Sequence, residues 1–282
     1  MVYVFCAFYG ECSGLIKHYN LKKRQTDKYY RFDVFENENQ PVRIILTGQG
    51  SVMAAAAVSG AASFFGIKAE DAIINVGTCA GDYEPGQVFI CNKITEEATG
   101  RTFYPDMILR SSLPERELVT APVVIRKSIH EYANKDSHNM ALYDMEAAAI
   151  YQAANLYVGP HRMGFIKVVS DNGDIEGLTP DFIKGLMAGA VDEIASYVDM
   201  FVADTHDMCR AEESTQFTNQ LCKDLHCSKV MENQVRQLIK YLSLEGTDYM
   251  TYINKLYNEG RLPAHDKKNG KVCLDEIKRE LL

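Results

Sequence analysis

The tightest constraint on this chain is a strand–glycine–helix unit that begins near residue 42. Val-Arg-Ile-Ile-Leu-Thr at 42–47 is an apolar, β-branched run of strand length. Gly48-Gln49-Gly50 turns the chain, and the small-residue run from Ser51 to Phe65 reads as a helix. Ser51 is expected to cap that helix and Gly66 to stop it. A strand and a helix this poor in polar positions must both be covered. The unit therefore belongs in a layered α/β fold rather than on a bundle or sandwich surface.

The rest of the first two hundred residues agrees. Residues 2–8 read as a buried strand, followed by Gly10-Glu11, and Ile73-Ile74-Asn75-Val76 reads as another, ending in Gly77-Thr78-Cys79-Ala80-Gly81. A strand is expected over 87–95, loop over 96–117, and short strands over 118–125 and 140–144. Met145 to Asn155 is an alanine-rich helix. Met163 to Val169 is a strand leading into Ser170-Asp171-Asn172-Gly173-Asp174, and a further helix runs from about Pro180 to Val202. The alternation predicts a three-layer fold, a mixed or parallel sheet with helices on both faces. Ligands of such sheets bind beyond the carboxyl ends of the strands, where Thr78, Ser170 and Asp171 fall.

Strand-like runs stop after about Ala203. Leu221–Leu225, Val235–Leu242 and Tyr249–Tyr257 read as short amphipathic helices, with Pro263 and Gly270 breaking the tail. The expected division is a catalytic domain over 1–203 and a small helical appendage over 204–282.

Composition narrows the function. The 282 residues are 46% hydrophobic and carry a net charge of −8, which disfavours nucleic acid as a partner. The first residues lack a basic leader, and no apolar run reaches the length of a membrane span, so neither secretion nor a membrane partner is expected. Eight scattered cysteines suit reduced thiols in a cytoplasm. Cys209, Cys222, His226 and Cys227 match no zinc spacing, so no metal is expected.

Three carboxylates stand out by placement: Glu11, Glu146 and Asp171. Singly, each has a plain structural reading. Glu11 suits a solvated loop, Glu146 the favourable first turn of a helix, and Asp171 a turn. Together with their neighbours they point further. Ala7-Phe8-Tyr9-Gly10-Glu11, Thr47-Gly48-Gln49-Gly50-Ser51, Asn75-Val76-Gly77-Thr78, Asp144-Met145-Glu146-Ala147 and Val169-Ser170-Asp171 stand in this order. This order resembles the methylthioadenosine/S-adenosylhomocysteine nucleosidases within the nucleoside phosphorylase superfamily, over roughly residues 1–203.

The resemblance implies cleavage of the N-glycosidic bond of a purine nucleoside. Departure of the base needs a proton, and by resemblance Asp171 supplies it, oriented by Ser170. Glu146 would accept the ribose diol while Met145 packs on the sugar. Glu11 would activate water, with Thr78 close by. Hydrolysis is favoured over phosphorolysis because Asn75 stands where the hexameric phosphorylases carry an arginine, and a carboxylate at Glu11 repels phosphate. A nucleoside-binding module without turnover is the reading from another class. The stretch Val119–Val124, corresponding to the base-stacking segment, holds Pro122 and no aromatic, which leaves the base open; Val124 is expected against it. Tyr104 and Arg101 fall where relatives approach the sugar 5′ end. The resemblance also implies a homodimer and no cofactor.

Overall fold

The computed structural model describes residues 1–25, 27–126, 129, 141–174 and 176–282, with the backbone alone over 206–213. It divides into two compact units, Met1–His206 and Asp207–Leu282.

The first unit is built on a sheet of ten strands among the described residues. They are β1 (Val2–Cys6), β2 (Lys22–Lys23), β3 (Val34–Glu36), β4 (Val42–Leu46), β5 (Ala72–Ala80), β6 (Val88–Glu96), β7 (Arg101–Phe103), β8 (Glu115–Thr120), β9 (Leu142–Asp144) and β10 (Met163–Asp171). Parallel pairing runs β4–β1–β5–β10. From β5 the sheet also passes through β9, β8 and β6 and returns to β10, closing on itself. Closure removes two strand edges that would otherwise present unpaired amides.

Side chains on β1 alternate between two cores, as the two-residue period of a strand requires. Tyr3 and Phe5 face a cluster with Ala54, Ala57, Val58 and Ala61 of α2 (Ser51–Phe65) and the alanines of α3 (Ala147–Ala154). Val2, Val4 and Cys6 face the other layer, with Cys12, Leu15 and Ile16 of α1 (Tyr9–His18). Met187 of α4 (Pro180–Gly189) and Ile194, Val198 and Phe201 of α5 (Val191–Asp224) complete that layer. The expected three-layer α/β architecture, helices on both faces of a mixed sheet, is the observed one.

Several sequence expectations need correction. Residues 96–117 are not all loop: β7 and the start of β8 lie there, too short and too polar for periodicity to mark. Glu11 is not in a solvated loop but in the first turn of α1, 4% exposed. Gly50, not Ser51, is the cap residue of α2, and the Ser51 hydroxyl donates instead to the Met145 carbonyl at 3.0 Å. The helix expected from Met145 begins at Ala147, with Glu146 as its cap residue. The helix expected over 180–202 breaks at Ala190 and restarts at Val191. Of the strand expected over 140–144, residue 140 lies outside the described residues.

The second unit is helical: the end of α5, then α6 (Lys229–Glu245), α7 (Tyr249–Asn258) and α8 (Lys267–Leu281). Ser228, Asp248 and Asp266 cap the last three, each side chain accepting the backbone amide three residues on. Leu225, Val235, Leu242, Ile253, Leu256, Leu274 and Ile277 form its core. Gly270 does not break the tail. It sits inside α8, where an added Cβ would lie 1.9 Å from the Leu225 carbonyl oxygen, so the glycine permits the contact between helix and chain. Among the described residues, no helix is long and apolar enough to cross a membrane.

Candidate active site

A cavity of about 260 Å³ opens at the carboxyl ends of β1, β5 and β10. Glu11, Thr78, Met145, Glu146, Ser170, Asp171 and Val124 all line it, so seven of the eight residues singled out from sequence converge. Tyr104 does not line it; that side chain is 60% exposed, and its carbonyl accepts the Tyr151 hydroxyl at 3.1 Å.

The Glu11 carboxylate is held by four donors. Oε2 accepts the Ala7 and Phe8 amides at 2.8 and 3.1 Å, and Oε1 accepts the Thr78 amide and hydroxyl at 2.7 and 2.9 Å. Gly77 makes the approach possible: a Cβ there would lie 3.1 Å from Glu11 Oε1 and 3.4 Å from Lys167 Nζ. The sheet end therefore brings an acid and a lysine to the same glycine.

Glu146 is gripped from the opposite turn. Its Oε1 accepts the Gly50 amide at 2.7 Å, and Oε2 accepts the Met145 amide at 3.3 Å. The Gly48-Gln49-Gly50 turn reaches it with positive φ at both glycines, 75° and 93°. Burial pushes the Glu146 carboxyl up, and Asp144 and Glu11 add repulsion. Lys167 and the Gly50 amide pull the other way, and the balance lies at about 7.

Asp171 ends β10. Its Oδ1 accepts the Gly173 amide at 2.8 Å, and its Oδ2 lies 2.6 Å from the Ser170 hydroxyl, which is also 3.2 Å from the Cys79 carbonyl. A hydroxyl has one proton to give. Donated to Asp171, it holds a carboxylate; donated to Cys79, it leaves the serine oxygen free to accept from a protonated Asp171. The pair accommodates both states of the acid.

Asp144 and Lys167 were not singled out from sequence. The Lys167 ammonium lies 2.8 Å from Asp144 Oδ2, with the two side chains 1% and 0% exposed. Asp144 also accepts the Thr120 hydroxyl at 2.7 Å and the Ala147 amide at 2.8 Å, so it ties the start of α3 to β8. Burial alone would lower the lysine, but Asp144, Glu146 and Glu11 outweigh it and hold its pKa above the ordinary value. A readable signal existed: Lys167 interrupts the apolar run Met163–Val169. Neither lysine nor arginine lines the cavity among the described residues, whereas Glu11, Asp144, Glu146 and Asp171 do. No cluster of metal-binding side chains occurs among the described residues.

No protein-family model and no curated protein matches this chain. Solved structures do. A 5′-methylthioadenosine/S-adenosylhomocysteine nucleosidase from Neisseria meningitidis, in complex with methylthio-immucillin-A, is 21% identical. It aligns over 72% of this chain and 97% of its own, with a TM-score of 0.55. The Helicobacter pylori enzyme of the same name, with butyl-thio-DADMe-immucillin-A, is 11% identical over 70% and 97%, TM-score 0.58. The apo 5′-methylthioadenosine nucleosidase of Arabidopsis thaliana is 17% identical over 71% and 95%, TM-score 0.56. The fold is that of these nucleosidases.

Proposed function

We propose that the chain hydrolyses the N-glycosidic bond of a purine nucleoside. The observation that carries this reading is the composition of one cavity: four carboxylates, no cation among the described lining residues, and a paired Ser170–Asp171 at its strand end. In the proposed reaction Asp171 gives its proton to N7 of the base as the C1′–N9 bond breaks. Water then adds to C1′ and loses a proton to Glu11. Glu146 accepts the 2′ and 3′ hydroxyls, Met145 packs on the sugar, Thr78 helps hold Glu11, and Val124 lies against the base. Phosphorolysis is disfavoured because a phosphate dianion would meet acids and, among the described lining residues, no arginine.

We further propose a catalytic domain over residues 1–203 with a helical appendage of separate role. The protein is proposed to be a homodimer, a reading supported by exposed apolar side chains such as Val52, 82% exposed, and Ile108, 66%. The buried free thiols of Cys6, Cys12, Cys79 and Cys91 suit a reducing cytoplasm.

A product assay on a nucleoside panel with and without phosphate tests the reaction. Free base and free sugar formed without phosphate, and lost in Asp171→Asn, are the expected result. Sugar 1-phosphate formed only with phosphate would overturn it. Stabilisation by a nucleoside without any turnover would favour a binding module.

A further inference from the structure

Among the described polar side chains that line the cavity, Gln49 is one that the acid, the base and the sugar anchor leave unused. It is exposed. Its amide nitrogen donates to Met145 Sδ at 3.2 Å, and a thioether is a weak acceptor. Its amide oxygen accepts no bond from any described residue. The main chain beneath is fixed all the same: the Gly48 amide donates to the Ala7 carbonyl at 3.1 Å, and the Gly50 amide to Glu146 at 2.7 Å. An under-used amide thus stands on a rigid turn.

Its place in the sheet says what it can meet. The strands pair in the order β10–β5–β1–β4, and their carboxyl ends carry Asp171, Thr78, Ala7-Phe8 and Gln49 in turn. Three strand spacings span on the order of 14 Å. With the base at Asp171 the sugar lies over β5 and β1, and Gln49 stands at the far end from the base.

Chemistry selects the group it would read. Ionised carboxylates accept hydrogen bonds from sugar hydroxyls but donate none to the hydroxyl oxygens. Ribose carries three hydroxyls, and Glu146 takes the vicinal two. The third is on the 5′ carbon, and an amide can both donate to it and accept from it.

We propose that Gln49 is a specificity-determining residue that hydrogen-bonds the 5′-hydroxyl, so that the site prefers nucleosides with a free 5′-hydroxyl over 5′-deoxy and 5′-alkylthio analogues. The proposal rests on the nucleoside reading above for the direction in which substrate lies. It gives a role to an amide in a cavity whose other described lining side chains are apolar, acidic or hydroxyl-bearing: an alkylthio group gains little from an amide, whereas a hydroxyl gains a bond.

The test compares adenosine with 5′-deoxyadenosine, and inosine with 5′-deoxyinosine, in the full chain and in Gln49→Leu and Gln49→Glu. Both kcat/KM and Kd by calorimetry are read as ratios of 5′-hydroxyl to 5′-deoxy compound. Wild type should favour the hydroxyl member, and Gln49→Leu should cut the ratio by about tenfold. Gln49→Glu, which loses the donor and keeps an acceptor, should also cut it. A wild type without the preference, or a Leu variant that keeps it, overturns the proposal. Kd ratios that shift as expected in a protein without turnover would leave Gln49 in its role and sink the hydrolase reading. A wild type that neither binds nor cleaves any of the four overturns both.

Discussion

Two ion pairs in this protein close at the same distance, 2.8 Å: Lys167–Asp144 at the sheet end and Arg236–Glu232 on helix α6. Their settings differ completely. The first pair is 1% and 0% exposed, and Asp144 is further bonded to Thr120 and the Ala147 amide. The second is 42% and 27% exposed, four residues apart on one helix, with water free to replace either partner. Length does not set the worth of an ion pair. Burial does, because a buried charge stripped of its partner has no solvent to fall back on. The sheet end concentrates its charge where the chemistry is proposed; the helical unit wears its charge on the outside and keeps an apolar core.

The sharpest way to break this contrast is through the proposed acid. Asp171→Asn should lower kcat by about 10²–10⁴-fold with the fold intact, read by steady-state product assay and circular dichroism. Lys167→Met comes next. It leaves Asp144 buried without its counter-charge and should cost about 3–5 kcal/mol in urea unfolding. A cost below that of an ordinary core substitution would show that Asp144 is satisfied by its hydrogen bonds alone.

Glu146 sharpens the contrast through pH. Its carboxyl lies at about 7 in the folded chain against an ordinary 4.5, so the folded state holds a proton that the unfolded chain has lost between those values. This group's contribution to stability is therefore complete below about 4.5 and is lost as pH rises through 7. The proposed sugar-binding form is the ionised one, so kcat/KM should fall by about tenfold per pH unit below 7. Opposite trends of stability and activity over one window are the expected signature, measured as wild type minus Glu146→Gln. Parallel trends would remove Glu146 from the role.

In the helical unit, Gly270→Ala should cost about 1–3 kcal/mol, because its Cβ meets the Leu225 carbonyl. Hydrogen exchange of α6–α8 reads it. Arg236→Ala should leave the unfolding midpoint unchanged, and a measurable drop would show that the surface pair matters more than its exposure implies.

How much of this was legible depends on the range of the signal. The helix α2 and strands β1, β4 and β10 were legible because apolar periodicity and glycine punctuation are local. Helix α1 was not, since its ten residues Tyr9–His18 mix apolar, glycine and charged positions, and its burial comes from the sheet beneath. Gly270 read as a breaker because a glycine inside a helix is locally unfavourable. Only its neighbour Leu225, distant in sequence, explains it.

For the site, placement singled out Glu11, Glu146 and Asp171, but each also had a plain structural reading, and it was the ordered resemblance to the nucleosidases that joined them into one site. It could not say that Glu11 is held by four donors, that Lys167 balances Asp144, or that Gln49 and Asp171 line one cavity from strands three places apart in the sheet. Those facts depend on strands pairing out of sequence order, which brings residues more than a hundred positions apart to one glycine. A pattern read along the chain carries local propensity and spacing; charge balance and reach exist only between residues the fold has made neighbours.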